Sequence, residues 1–232
     1  MPRGDLRRLQ RLLGYRFRDP RVLVQALKHR SYVYARQERG LDSNERLEYL
    51  GDAVLDLIVA DFLFSTYAGK REGELTEMKS QLVSRAVLAQ RALDVDLGDF
   101  ILLSPEEERA GGGRQPSILS DAFEAVLGAM YLDGGVAPCR RFVERVLLDD
   151  FRSVLDSEDF TNFKSKLLEH TQSLGHGHPK YLLQAEEGPD HCKLFSVEVQ
   201  VTGEKVGDGQ GRSKKEAQQM AAKAALHNLG AL

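Results

Sequence analysis

The sequence lacks the features that would tie a fold together covalently or seat it in a membrane. Only two cysteines occur, Cys139 and Cys192, far apart and without CxxC spacing. That excludes a disulfide framework or a zinc ribbon, and free thiols fit a reducing compartment. No stretch approaches the roughly 18 consecutive apolar residues of a membrane span. Met1 to Leu13 is studded with arginine and holds no apolar run of the kind a secretory signal needs, so a cytoplasmic protein without membrane contact is expected. A basic surplus is missing too: 32 Lys plus Arg stand against 35 Asp plus Glu, a formal net charge of -3. Over a whole chain, that balance is unusual for a nucleic-acid binder.

What is present divides into two kinds of pattern. The 232 residues, 42% of them hydrophobic, suffice for two ordinary domains with real cores. From residue 1 to about 152, apolar positions recur at three and four residue spacing through Leu6, Leu9 and Leu13, Val22, Leu23, Ala26 and Leu27, Leu47 to Leu63, and Leu75 to Leu93. That is helix after helix. Pro105 and Gly111-Gly112-Gly113 mark loops between them, and Tyr15, Phe17, Phe62, Phe64 and Phe142 are expected in the core.

Near residue 160 the period changes. After a helix over about 161 to 173, Tyr181 to Glu186 and then Phe195, Val197, Val199 and Val201 alternate with polar residues, as half-buried antiparallel strands do. Thr202-Gly203-Glu204 turns into a third strand. A last helix carries Ala217, Met220, Ala221, Ala224 and Ala225 on one stripe, opened by a capping box from Ser213 to Glu216. The expected organisation is an all-α domain over 1–152, a charged linker over 153–159 and an α-β-β-β-α domain over 160–232, a multidomain α and α+β chain. Residues 160–232 hold nine Lys plus Arg against eight Asp plus Glu, and the preceding part holds 23 against 27. The acidity therefore belongs mostly to the helical part.

The densest chemical signal lies between Asn44 and Leu55. At roughly 100° per residue, Glu45, Glu48 and Asp52 share an arc of about 60°, with Leu47, Leu50, Val54 and Leu57 opposite. Like charges four apart cost an isolated helix a few tenths of a kcal/mol, so the trio needs open water or a cation. Glu45 also fits a capping box opened by Asp42. A second pair, Asp121 and Glu124, sits three apart in a helix that is otherwise almost wholly apolar, and central carboxylates need a metal or a basic partner. Hard oxygen ligands without His or Cys select Mg²⁺ or Mn²⁺.

The run Asn44-Glu45-Arg46-Leu47-Glu48-Tyr49-Leu50-Gly51-Asp52-Ala53-Val54-Leu55 resembles the ribonuclease III signature. His29-Arg30-Ser31-Tyr32, Gly73-Glu74-Leu75-Thr76 and Asp121-Ala122-Phe123-Glu124-Ala125 stand in the family's order. The resemblance implies that Glu48, Asp121 and Glu124 ligate Mg²⁺, with Mn²⁺ as a substitute, and that Asp52 and Glu124 are catalytic. It places Glu45 and Glu74 in support. It further implies a homodimer, staggered cuts in double-stranded RNA leaving 5′-phosphate and 3′-hydroxyl ends, and no small-molecule cofactor.

The C-terminal part is similar to a double-stranded RNA-binding domain in Phe163 to Glu169, Pro179-Lys180-Tyr181, Gly188 to Phe195 and Gly207 to Ala217. Lys214 and Lys215 occupy the first turn of the last helix, where the macrodipole disfavours cations but where free N–H groups, the dipole and two ammonium groups all favour a phosphate. Arg212 adds to the cluster. By resemblance Ser165, Glu169, Gln172 and His191 meet minor grooves of A-form RNA, which is read by shape. Leu168 departs from the family, which often has Gln there. Two rivals remain: a non-catalytic RNA binder on a ribonuclease III scaffold, for which missing acids would be the mark, and a small-nucleotide phosphohydrolase, against which the second domain stands.

Overall fold

The computed structural model describes residues 5–156, 162–188 and 193–232. The chain forms two compact units, 1–160 and 161–232.

The first unit is helical throughout its described residues. Its helices are α1 (Leu6–Leu13), α2 (Pro20–Ala26), α3 (Arg30–Ala35), α4 (Glu45–Thr66), α5 (Glu72–Leu82), α6 (Arg85–Asp94), α7 (Pro105–Arg109), α8 (Pro116–Gly134), α9 (Val136–Val143) and α10 (Phe151–Asp156). Start signals act where the sequence puts them: the side chains of Asp5, Asp19, Ser84 and Ser104 cap α1, α2, α6 and α7, and prolines open α2, α7 and α8. The middle of α8 is hydrophobic nearly all round, with Ile118, Leu119, Ala122, Phe123, Ala125, Val126, Leu127, Ala129 and Met130 buried. A helix of that kind belongs in the centre. It packs most extensively on α4 and also meets α6, α2 and α9. Cys139 is buried beside it, and burial pushes its thiol up to about 11.

The core expectation fails at one face of α4. Phe17 and Phe142 are buried and Tyr15 and Phe62 pack against the core, but Phe64 is 74% exposed, as are Leu57 (60%) and Tyr49 (82%). With Ala53 and Ala60, also exposed, these side chains fall within an arc of about 80°. α4 thus has two apolar faces. The one toward α8 is filled; the other is left to solvent, above a cavity of about 580 Å³ that Leu75 of α5 also lines.

In the second unit, α11 (Phe163–Ser173) is followed by an antiparallel sheet in the order β1-β2-β3, made of Lys180–Glu187, Leu194–Val201 and Glu204–Gly211, and by α12 (Lys214–Asn228). Thr202 and Gly203 both have positive φ and make the two-residue hairpin between β2 and β3. Phe163, Leu167, Val197, Val199, Ala217, Ala221, Ala222, Ala225 and Leu226 form the core. One face of β3 is glycine at alternate positions: a Cβ on Gly207 or Gly209 would come within 2.6 or 2.2 Å of the α12 backbone. The helix lies directly on that strand. The inward stripe of α12 is Ala217, Ala221, Ala222, Ala225 and Leu226, and Met220, expected inside, is 45% exposed. Its backbone and Cβ nevertheless stand over Gly209, where the strand carries no side chain.

Candidate metal centre and RNA-binding face

The acids of α4 and α8 come together because two glycines let the helices touch. A Cβ on Gly51 would lie 1.8 Å from the carbonyl oxygen of Glu124, and one on Gly128 would lie 2.2 Å from that of Leu47. No real Cβ contact is that short, so only glycine fits at either position. The pairing of 51 with 124 and of 47 with 128 makes the helices antiparallel and sets Glu48 and Asp52 opposite Asp121 and Glu124. One carboxylate oxygen each from Glu48, Asp121 and Glu124 lies within 4.8 Å of the others, and all three residues are half-buried. No other group of three or more His, Cys, Asp or Glu side chains converges in this way among the described residues.

The electrostatics follow from that crowding. Burial, then the charges of Asp52, Glu48 and Asp121, pushes the Glu124 carboxyl up to about 8. Burial, then Asp121, Glu45 and Asp52, pushes Glu48 up to about 7. Arg85 at the start of α6 offsets both, but one guanidinium is too little for four carboxylates. An all-oxygen set with an uncompensated negative charge fits a hard divalent cation.

The remaining candidates are placed as follows. Asp52 is exposed and acts on Glu124 and Glu48 through its charge. Glu45 accepts a hydrogen bond from Ser43 Oγ at 2.9 Å and lines the cavity that Glu48 and Asp121 share. The capping box opened by Asp42 is not formed: Asn44 stands at the N-cap of α4, and Asp42 pairs with Arg39 at 2.9 Å. Glu74 stands outside the acid cluster, held by Lys70 at 2.7 Å and by the backbone N–H of Arg71 at 3.0 Å.

Three wall residues were not singled out by sequence. Glu107 of α7 reaches the same cavity of about 300 Å³, steadied by the Gln115 amide at 3.2 Å, and Asn44 is part of the lining. Glu107 lies 14 residues before Asp121 and across a glycine-rich turn, so no periodicity connects them. His29, quoted in the motif but given no role, also faces the cavity. Its Nδ1 accepts the Ser31 N–H at 3.3 Å and lies 2.8 Å from Ser31 Oγ, which accepts the Ser104 N–H at 3.1 Å. Burial holds this imidazole below its ordinary value.

On the second unit Ser165, Glu169 and Gln172 follow one another at i, i+4 and i+7 on α11, on the side away from buried Leu167 and Thr171, with Leu168 half-buried between. Ser213 Oγ caps α12 by accepting the Glu216 N–H, and Glu216 reaches back to the N–H of Arg212 at 2.8 Å. Arg212, Lys214 and Lys215 are exposed. Lys214 lies over the Phe195 ring and 4.0 Å from Glu186. His191 and Cys192 lie outside the described residues.

A family model for "Ribonuclease-III-like" proteins matches residues 19–151, and one for the "Double-stranded RNA binding motif" matches residues 163–229. The protein named Ribonuclease 3 from Pelotomaculum thermopropionicum is 43% identical over 218 residues, 94% of this chain and 90% of that one. The chain belongs to the ribonuclease III family. Its relative in Campylobacter jejuni is 40% identical over 98% of this chain and 99% of its own. The solved nuclease domain of ribonuclease III from Campylobacter jejuni superposes with a TM-score of 0.59 at 40% identity, covering 64% of this chain and 99% of that one, and is described for flexibility in a region involved in its dimer formation. The activity is that of an endoribonuclease on double-stranded RNA, joined to an RNA-binding module. The family suggests a divalent metal, and the acidic cluster provides a place for one. No helix among the described residues is long and apolar enough to cross a membrane.

Proposed function

We propose that Glu48, Asp121 and Glu124 hold Mg²⁺, with Mn²⁺ as a substitute, and that this is where the phosphodiester is hydrolysed. The convergence of these three carboxylates from two helices carries the proposal. A divalent ion bound there would lower the pKa of a water and neutralise charge on the phosphate. Glu48, Asp121 and Glu124 would hold the ion, and Asp52, whose charge acts on Glu124, would orient the attacking water. The water oxygen joins phosphorus, the bond from phosphorus to O3′ breaks, and a proton passes to O3′. The ends are a 5′-phosphate and a 3′-hydroxyl.

In the same proposal residues 1–152 are the nuclease, 153–159 a linker whose first residues continue α10 and pack Val154 into the helical core, and 160–232 the duplex-gripping domain. Ser165, Glu169, Gln172 and His191 meet minor grooves, Arg212, Lys214 and Lys215 hold phosphates, and Glu45 and Glu74 support the cleavage site. The exposed stripe of Tyr49, Leu57 and Phe64 fits a second copy of this chain, because apolar rings of that size left in water favour burial. Two copies would bring one site to each strand and give staggered cuts. Precursor ribosomal RNA in the cytoplasm is the expected substrate.

The test is cleavage of long duplex RNA by the purified protein. Cutting with Mg²⁺ and none with chelator is expected, and Glu124→Ala should bind without cutting. Normal cutting by Glu124→Ala would overturn the mechanism, and binding without any cutting by the unaltered protein would favour a decayed scaffold.

A further inference from the structure

The cavity beside the three metal-binding candidates has an unusual wall. Asn44 is 2% exposed, and its Nδ2 has no hydrogen-bond partner. A buried amide donor left unpaired is unfavourable, so such groups are rare and point to something that binds them. Asparagine at an N-cap ordinarily bonds to the first turn of its own helix, yet the Asn44 side chain makes no cap bond. It lines the cavity instead, together with His29, Glu45 and Glu107. His29 Nδ1 accepts the Ser31 N–H, which puts the proton of the neutral ring on Nε2 as a donor.

Neutral donors next to carboxylate acceptors suit one kind of ligand. A second phosphate would meet Glu45, Glu48, Glu107 and Asp121, with Arg30 as the cation among the lining residues. A hydroxyl is uncharged, accepts one hydrogen bond and gives another. We infer that this cavity receives a ribose 2′-hydroxyl flanking the scissile phosphate, with Asn44 Nδ2 donating to its oxygen and the carboxylate of Glu45 or Glu107 accepting its proton. The nuclease unit then discriminates RNA from DNA by itself, apart from the duplex-gripping unit. This inference depends on the assignment of the acid cluster as the cleavage site.

The experiment walks a single 2′-deoxy substitution along each strand around the cut in a duplex RNA. Affinity is measured with the full-length protein in chelator, cleavage is measured in Mg²⁺, and the unaltered protein is compared with Asn44→Ala. At one position the deoxy substitution should weaken the unaltered protein by about three- to tenfold, the worth of one hydrogen bond, and leave Asn44→Ala unchanged. Because Asn44 Nδ2 makes no bond within the protein and an unpaired buried donor is unfavourable, Asn44→Ala should not lower the thermal midpoint and should keep the calorimetric affinity for Mn²⁺. Equal deoxy effects in both proteins at every position would overturn the inference. Loss of Mn²⁺ affinity in Asn44→Ala would overturn it as well, as would coupling of Asn44 to a methylphosphonate instead of to the sugar. The affinity comparison needs no turnover, so its failure is distinguishable from failure of the cleavage mechanism, which Glu124→Ala reports.

Discussion

The two units solve opposite problems with charge. In the nuclease unit, carboxylates are drawn half inside, against like charges, by two helices whose backbones touch at Gly51 and Gly128. In the second unit, Arg212, Lys214 and Lys215 stand in water at a helix start, each able to act with little help from the others. The first arrangement is costly and cooperative, because burial concentrates field. The second is inexpensive, additive and screened by salt. Chemistry at one phosphate needs the former, and holding many phosphates along a duplex needs only the latter.

Substitutions should separate these regimes, and the largest effect belongs to the buried acids. Glu124→Ala should lower the cleavage rate by about 10³-fold or more, the equivalent of several kcal/mol, with duplex affinity in chelator unchanged by fluorescence anisotropy. A comparable loss of affinity would erase the contrast between the units. Next comes the helix contact: Gly51→Ala should separate α4 from α8, cost about 1–3 kcal/mol in denaturant unfolding and weaken Mn²⁺ binding by about tenfold or more. A Gly51→Ala protein with normal Mn²⁺ affinity would show that the acids do not depend on that contact.

Acidity supplies a third measurement. Glu124 and Glu48 are raised from an ordinary 4.5 to about 8 and about 7, so the folded state binds their protons more tightly than the unfolded chain does. The stability they contribute is fully present below pH 4.5 and is lost as pH rises through 7 and 8. In chelator, Glu124→Gln should therefore gain thermal midpoint over the unaltered protein at pH 8.5 relative to pH 5.5, roughly the interval those values span. Mn²⁺ should close the gap at the higher pH, and a constant difference across the range would count against the buried-charge account.

Smaller effects belong to the exposed side. Lys214→Ala or Lys215→Ala should each weaken duplex binding several-fold, reduce the slope of log affinity against log salt by about 1, and leave the saturated cleavage rate alone. The smallest change is Leu168→Gln. One added groove hydrogen bond is worth about 1 kcal/mol at most, so affinity should tighten no more than about fivefold, measured by the same anisotropy.

Much of the site could be seen in the sequence because its acids lie at helical spacings within two short segments; the close contact at Gly51 and Gly128 that brings the segments together shows only in the structure. The helices, hairpin turn and Ser213 cap came from local rules of the same kind. Less visible was whatever depends on a second element. Phe64 and Leu57 keep perfect helical periodicity, yet α8 covers only one of the two apolar faces of α4. Periodicity gives the stripe and not its occupant. Glu74 is captured by Lys70 four residues earlier, and Glu107 depends on the path of a turn. The sequence points to Asp42 as the cap of α4, whereas Asn44 stands there with its amide unpaired.

The bare face of β3 has a consequence for how the second unit assembles. Gly207, Gly209 and Gly211 lie under α12 with no space for a Cβ, while the exposed Asp208 and Gln210 alternate with them. A hairpin that formed one residue out of step would turn those side chains toward the helix and hold it off the sheet. Misaligned pairings therefore cannot close, and the correct alignment is selected by the absence of side chains.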